Sequence, residues 1–272
     1  MRRFLLIFCS LTALACQGGA VPSTPAPERV ETVQTFDHSA FSRVLSRYVN
    51  AQGLIDYAGL KRDNALDPYL ALLAAADPSR LSQEGQIAFW INAYNAGTLK
   101  LVVDRYPVST IMRITPNRLG IPIPGTSQTP FRIRFLRVAG RLYTLDEIEH
   151  SILRDRFDEP RIHAALVCAA LSCPPLRAEA FVPERLSAQL DDQMRTWLRD
   201  RTKNRIPDAE NRIALSQILK WFKDDFGGSD VTVQRYIARY FEGAVRTKLE
   251  AGTYNVMHLR YNWDLNEQPR GR

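Results

Sequence analysis

The sequence predicts an α+β fold: one predominantly helical domain with a small antiparallel sheet. Three observations carry this expectation. Apolar residues recur at helical spacing through most of the chain, most densely as the stripe Ile87, Trp90, Ile91, Tyr94, Thr98 and Leu101. The period switches to two around Phe131, Ile133 and Phe135, which alternate with Arg132 and Arg134. After one Pro-rich stretch near the N-terminus, no second linker, internal repeat or break in composition interrupts the 272 residues. One domain over residues 38–267, followed by a polar tail at 268–272, is therefore the simplest organisation.

The first segment, "MRRFLLIFCSLTALAC", has two arginines, an apolar run at residues 4–14 and small residues before Cys16. This is the pattern of a secretory signal over residues 1–15, too short for a membrane-spanning helix, which takes about 20 apolar residues. Ala13-Leu14-Ala15-Cys16 also fits a bacterial lipobox, with Cys16 as the lipidated residue. The small and Pro-rich residues that follow predict a flexible tether over residues 16–37. Together these predict a periplasmic envelope protein held to the membrane by a lipid anchor. Gln17 stands where an Asp would retain it at the inner membrane, which points to the outer one. The net charge is +7, with acidic and basic residues interspersed. There is no run of five like charges and no basic patch interleaved with aromatics, so nucleic acid is not an expected partner, whereas a protein or cell-wall partner is open.

Along the domain, Phe41, Val44, Leu45, Tyr48 and Val49 predict a first helix with Ser39 as its cap. "GLIDYAGL" reads as a Gly turn and a short strand, and Asp67-Pro68 opens an Ala/Leu-rich helix. The helix carrying "IAFWINAYNAGTLKLVV" is apolar nearly all round with Asn92 and Asn95 set into it. A buried amide is costly unless paired, so the two either latch a neighbouring segment or face a polar pocket. Residues 115–130 read as a long Pro- and Gly-rich loop, a flap or a partner contact. "FRIRFLRVAGRLYTL" predicts a hairpin turning at Ala139-Gly140, and Thr144 with Glu147 predicts a capping box for the helix after it. Glu149 falls within that helix's apolar stripe, where a carboxylate needs a partner or a raised pKa. His150 lies on the polar flank with Asp146 and Arg154. Further helices are expected at Leu186–Trp197, at "QILKWFKDDFGG" and after Ser229, with strands at "NRIALS" and in "YNVMHLRYNWDLNEQ".

"RIHAALVCAALSCPP", residues 161–175, concentrates the chemistry. A cysteine hydrolase or transferase needs a thiolate, a histidine within hydrogen-bond reach and a polar residue that orients it. Cys168 or Cys173, His163 or His150, and Glu149, Asn92 or Asn95 supply that inventory. His163 and Cys168 fall on different faces of either a strand or a helix, so they are no local pair unless the backbone turns between them. For the two cysteines a disulfide, inert buried thiols and a reactive thiol all remain open; a bridge requires a turn. The His and Cys spacing matches no zinc pattern, and no metal or cofactor is expected.

"AFWINAYNA", "YPVSTI", "TLDEIEHSILR", "RIHAALVCAALSCPPLRAEAF" and "YNWDLNE", in this order, resemble the bacterial members of the family catalogued as domain of unknown function number 547. The resemblance spans roughly residues 41–267 and implies an α+β shape and no settled activity. It places Asn92, Asn95, Glu149, His150, His163, Cys168 and Cys173 in the family's pattern, with Asn262 where an Asp is common. Distant plant relatives keep a residue like Cys168 but tend to have Ser for Cys173 and no His at 163, which makes Cys168 the more general thiol. The expected function is a cysteine-dependent hydrolase or acyltransferase acting on peptide or amide bonds, with Cys168 attacking, His163 as base and Glu149 or Asn92 orienting the ring. The competing expectation is a non-catalytic binding or scaffold domain in which the same residues form a structural network.

Overall fold

The computed structural model describes residues 34–115, 129–207 and 210–269. The signal segment, Cys16, the tether up to residue 33 and loop residues 116–128 lie outside the described residues. Within them, the chain is the expected predominantly helical α+β domain, and no helix is long and apolar enough to cross a membrane.

α1 (Ser39–Tyr48) turns Phe41, Val44, Leu45 and Tyr48 into the core. Its first turn is held by Asp37, whose carboxylate accepts from the Ser39 N–H, so Ser39 is the first helical residue and not the cap. After the Gly53 turn, Ile55 makes only isolated bridges to Val49 and Glu267. The expected strand gives way to α2 (Tyr57–Arg62) because the Asp56 side chain accepts from the Gly59 N–H and caps a helix. α3 (Asp67–Ala75) follows, with Pro68 in its first turn.

α4 (Gln83–Val103) starts at Ser82, whose hydroxyl accepts from the Gly85 N–H. From Gly85 to Val103 only Gln86 and Lys100 escape burial, so this helix runs through the core with protein on every side. Asn92 donates to the Phe181 carbonyl and accepts from the Phe181 N–H, at 2.8 and 3.0 Å. Asn95 does the same for the Ala165 carbonyl and the Val167 N–H, at 2.9 and 3.0 Å. Each amide therefore replaces a missing strand partner for an otherwise unpaired backbone.

β1 (Leu136–Val138) and β2 (Arg141–Tyr143) form the antiparallel hairpin, turning through Ala139 and Gly140, both with positive φ. The strand is shorter than the alternation suggests. Pro130 opens a 3₁₀ turn at Pro130–Arg132, and the opposing strand ends one residue before the capping residue Thr144. Thr144 and Glu147 then close the reciprocal capping box, both bonds at 2.9 Å. The helix they open widens into a π-helix at Glu147–Arg154, which no sequence period announces.

α5 (Ile162–Ala165) is a single turn, after which the chain extends to Val167 and reverses through Ala169, φ 61°. α6 (Leu186–Arg199) buries Leu186, Leu190, Met194 and Trp197. β3 (Arg212–Leu215) pairs with β4 (Asn255–His258) in parallel, contrary to a purely antiparallel sheet. Parallel pairing follows from the crossover between them: α7 (Gln217–Trp221), the 3₁₀ turn Lys223–Phe226, α8 (Asp230–Ala238) behind its Ser229–Thr232 capping box, and α9 (Gly243–Ala251). α9 has no counterpart among the expected elements. The core divides into one apolar cluster around α4 and a second around Trp197, β3 and α7–α9. Residues 162–168 run along the seam, with Ala164 in the second cluster and Leu166 in the first.

Asn95→Ala leaves a buried carbonyl and a buried N–H without partners. Urea unfolding should show a loss of about 3 kcal/mol, and Asn95→Asp should be no rescue because a carboxylate cannot donate to Ala165.

Candidate functional site

At the seam lies a pocket of about 390 Å³ whose lining brings together residues far apart in sequence. The π-helix and the residue before it contribute Glu149, His150 and Asp146; α5 and the extended segment contribute His163, Leu166 and Cys168; α7 and the residue after it contribute Ile218, Trp221 and Phe222. Tyr94 reaches in from α4, Tyr261 and Trp263 from the C-terminal segment, and Phe131 and Arg132 from beside the hairpin. Tyr261, Trp221 and Trp263 pack ring to ring at 4.6–6.1 Å, and Trp221 is 49% exposed, so the mouth of the pocket is an aromatic wall.

His163 is buried, its side chain only 1% exposed. Its ring stacks on Phe222 with centroids 4.0 Å apart, and its Nε2 lies 2.6 Å from Asp225 Oδ2. Asp225 is held well below the usual carboxylate range. Burial works against its ionisation, but the hydrogen bonds from Arg154 and His163 and the charge of Arg154 outweigh it. An ionised carboxylate can only accept, so Nε2 carries the proton and Nδ1 is the bare nitrogen. Burial lowers the pKa of His163 more than Asp225 raises it, which keeps the ring neutral near pH 7. Arg154 clamps the same carboxylate with two bonds of 2.6 and 2.7 Å and donates a third, 2.9 Å long, to His150 Nδ1. Asp146, His150 and Arg154 share the polar flank of the π-helix.

Glu149 points away from that flank to α4, where the buried Tyr94 hydroxyl hydrogen-bonds it. Burial pushes the Glu149 carboxyl up to about 7, against the opposing effects of Tyr94 and Arg154. It is thus a carboxylic acid that changes charge near neutrality within a mostly apolar pocket.

Cys168 and Cys173 are joined by a disulfide, Cα to Cα 6.1 Å, made reachable by the turn at Ala169. Cys168 is half-buried and faces the pocket; Cys173 is 0% exposed behind it. The Cys173 sulfur accepts from the N–H groups of Cys168 and Ala170 at 3.0 and 3.3 Å. The Tyr261 hydroxyl lies 3.0 Å from Cys168 Sγ and 3.3 Å from Cys173 Sγ. The C-terminal segment fastens this turn: Leu171 and Ser172 donate backbone bonds to Asp264 and Asn262, and Asn266 donates to Ala169.

Of the residues singled out from sequence, Glu149, His150, His163 and Cys168 line the pocket. Asn92 does not, because both ends of its amide are committed to Phe181. The group that orients His163 is neither Glu149 nor Asn92 but Asp225, which sequence reasoning passed over as part of a helix end. Its only local signal is an acid between Phe222 and Phe226. Among the described residues no group of three or more His, Cys, Asp or Glu is arranged to hold a metal ion.

Residues 78–198 match the family model described as "Protein of unknown function, DUF547", which supports the family for the stretch carrying Glu149, His150, His163, Cys168 and Cys173. Asp225, Tyr261 and Trp263 lie beyond the matched residues. No curated protein and no solved structure matches the chain.

The raised pKa of Glu149 has a definite sign in stability. A carboxyl whose folded pKa exceeds its ordinary 4.5 favours the fold fully below that pH, and the benefit is lost as pH rises through about 7. Comparing wild type with Glu149→Gln by thermal melts from pH 4 to 8, wild type should lose stability relative to the variant between about pH 4.5 and 7; parallel profiles contradict the assignment.

Proposed function

We propose that the pocket carries out cysteine-dependent acyl transfer or hydrolysis on peptide or amide bonds when the Cys168–Cys173 bond is open. The single observation that supports this most is that Cys168 and a neutral His163, its Nε2–H committed to Asp225, line one pocket. In the reduced state Nδ1 of His163 takes the Cys168 proton, and the thiolate attacks the substrate carbonyl carbon. The imidazolium returns the proton to the leaving amine, and water or an acceptor amine resolves the thioester. Asp225 positions the ring and stabilises its charged form, Glu149 is an acid of matched pKa in the same space, and the aromatic wall selects an apolar or aromatic group beside the scissile bond.

A second reading has specific support as well. With the disulfide closed Cys168 has no free thiol, and Asn92 and Asn95 serve backbone alone, as a binding domain with a structural polar network would have it. In either case we propose an exported bacterial lipoprotein anchored through Cys16 at the periplasmic face of the outer membrane, with a protein or cell-wall partner. Labelled palmitate should enter the wild type and be absent from Cys16→Ser.

The catalytic reading is tested with thioester and anilide substrates bearing aromatic acyl groups. Turnover should require reduction, vanish in Cys168→Ser, and fall about 100-fold or more in His163→Ala and Asp225→Asn. Reduced, folded protein that binds aromatic ligands without turnover would transfer support to the binding reading.

A further inference from the structure

We propose that the Cys168–Cys173 disulfide is itself a reactive group, exchanging with a low-molecular-weight thiol that carries an apolar or aromatic body and enters the pocket. This inference does not depend on acyl-transfer chemistry, only on the asymmetry of the two sulfurs. Cys168 Sγ faces a pocket of about 390 Å³, whereas Cys173 is fully buried on the far side of the bond. An attacking thiolate must approach one sulfur with the other as leaving group, and the pocket admits it only to Cys168.

The leaving sulfur is already provided for. Cys173 Sγ faces the N–H groups of Cys168 and Ala170 at 3.0 and 3.3 Å and the Tyr261 hydroxyl at 3.3 Å. Two N–H groups are trained on this buried sulfur, and the Tyr261 hydroxyl, shared between Cys168 Sγ at 3.0 Å and Cys173 Sγ at 3.3 Å, can turn to it once the bond opens; such donors contribute little to a neutral disulfide and much to a thiolate, since a hydrogen bond to a charged acceptor is roughly twice as strong as one to a neutral acceptor. A stabilised thiolate leaves faster. A disulfide with only a structural role has no need of donors poised for a charge that never forms.

The step balances. The thiol enters as R–S⁻, its proton given to water; a bond forms between its sulfur and Cys168 Sγ, the Cys168–Cys173 bond breaks, and the electron pair remains on Cys173 as thiolate. A second thiolate of the same class attacks the R sulfur of the mixed disulfide, releasing RSSR and leaving Cys168 and Cys173 reduced. Two thiols are oxidised and one disulfide is reduced. The volume and the Trp221–Tyr261–Trp263 wall suit an aromatic body beside the sulfur, and a polar thiol gains nothing there.

Oxidised protein is treated with benzyl mercaptan, or with 2-mercaptoethanol at equal thiolate concentration, quenched with acid, alkylated and mapped by peptide mass spectrometry. The expected product is a benzyl adduct on Cys168 with Cys173 alkylated, formed at least about tenfold faster than with 2-mercaptoethanol. Tyr261→Phe, which keeps the ring and removes the hydroxyl that the two sulfurs share and that can turn to the departing thiolate, should slow the exchange about tenfold while circular dichroism and the melting temperature stay close to wild type. Adducts on Cys173, equal rates for the two thiols, or exchange only after denaturation would overturn the proposal. Exchange without any turnover of thioester or anilide substrates would remove the acyl-transfer reading and leave this one standing.

Discussion

The constraint on which the rest depends is the burial of α4 on every side. A helix surrounded by protein must satisfy each polar side chain from within the fold, since water does not reach it. Asn92, Tyr94 and Asn95 occupy a single turn, and each reaches a different segment: Phe181, Glu149, and the Ala165–Val167 backbone. Moving any of these segments strands a buried amide or hydroxyl. The turn of α4 therefore fixes the relative position of the π-helix and of the segment that carries His163 and Cys168.

A second set of contacts joins the α4 cluster to the cluster around β3 and α7–α9. Asp225 belongs to the latter side, Arg154 to the π-helix and His163 to the seam, and the three share one carboxylate. Phe222 lies under both His163 and Arg154, its ring stacked on the imidazole and its face toward the guanidinium. Half-buried charge is tolerated here because it is compensated from two directions with short, directional bonds. The same compensation sets the tautomer of His163, so packing and proton placement are one arrangement.

The C-terminal segment completes the pocket. Residues Asn262 to Asn266 pair with the turn between the two cysteines, Tyr57 donates to Asn266, and Tyr261 and Trp263 supply the wall. Gly53, at φ 73°, lies so close to Pro175, two residues past Cys173, that a Cβ would meet it at 2.5 Å. The apposition of an apolar pocket, a neutral imidazole, a carboxyl near neutrality and a disulfide with one accessible sulfur is what gives the site its chemical interest.

Local rules made much of this readable in advance. The α4 stripe, the Thr144–Glu147 box, the Ser229 cap and the Ala139-Gly140 turn depend on residues within a few positions of one another, and so does the placement of Glu149 within an apolar stripe. What only the tertiary structure decided involves distance along the chain. The Asp56 cap of α2 is a local signal set among apolar residues that suit a strand, but the widening of the π-helix, the parallel pairing of β3 with β4 and the assignment of Asp225 to His163 have no local signature. They are separated by up to tens of residues and arise because buried backbone and charge must find partners wherever the fold brings them. The cysteines show the division most sharply: the sequence by itself determined that a disulfide needs a turn between residues 168 and 173, and the left-handed Ala169, held by the C-terminal segment, decided that the turn exists.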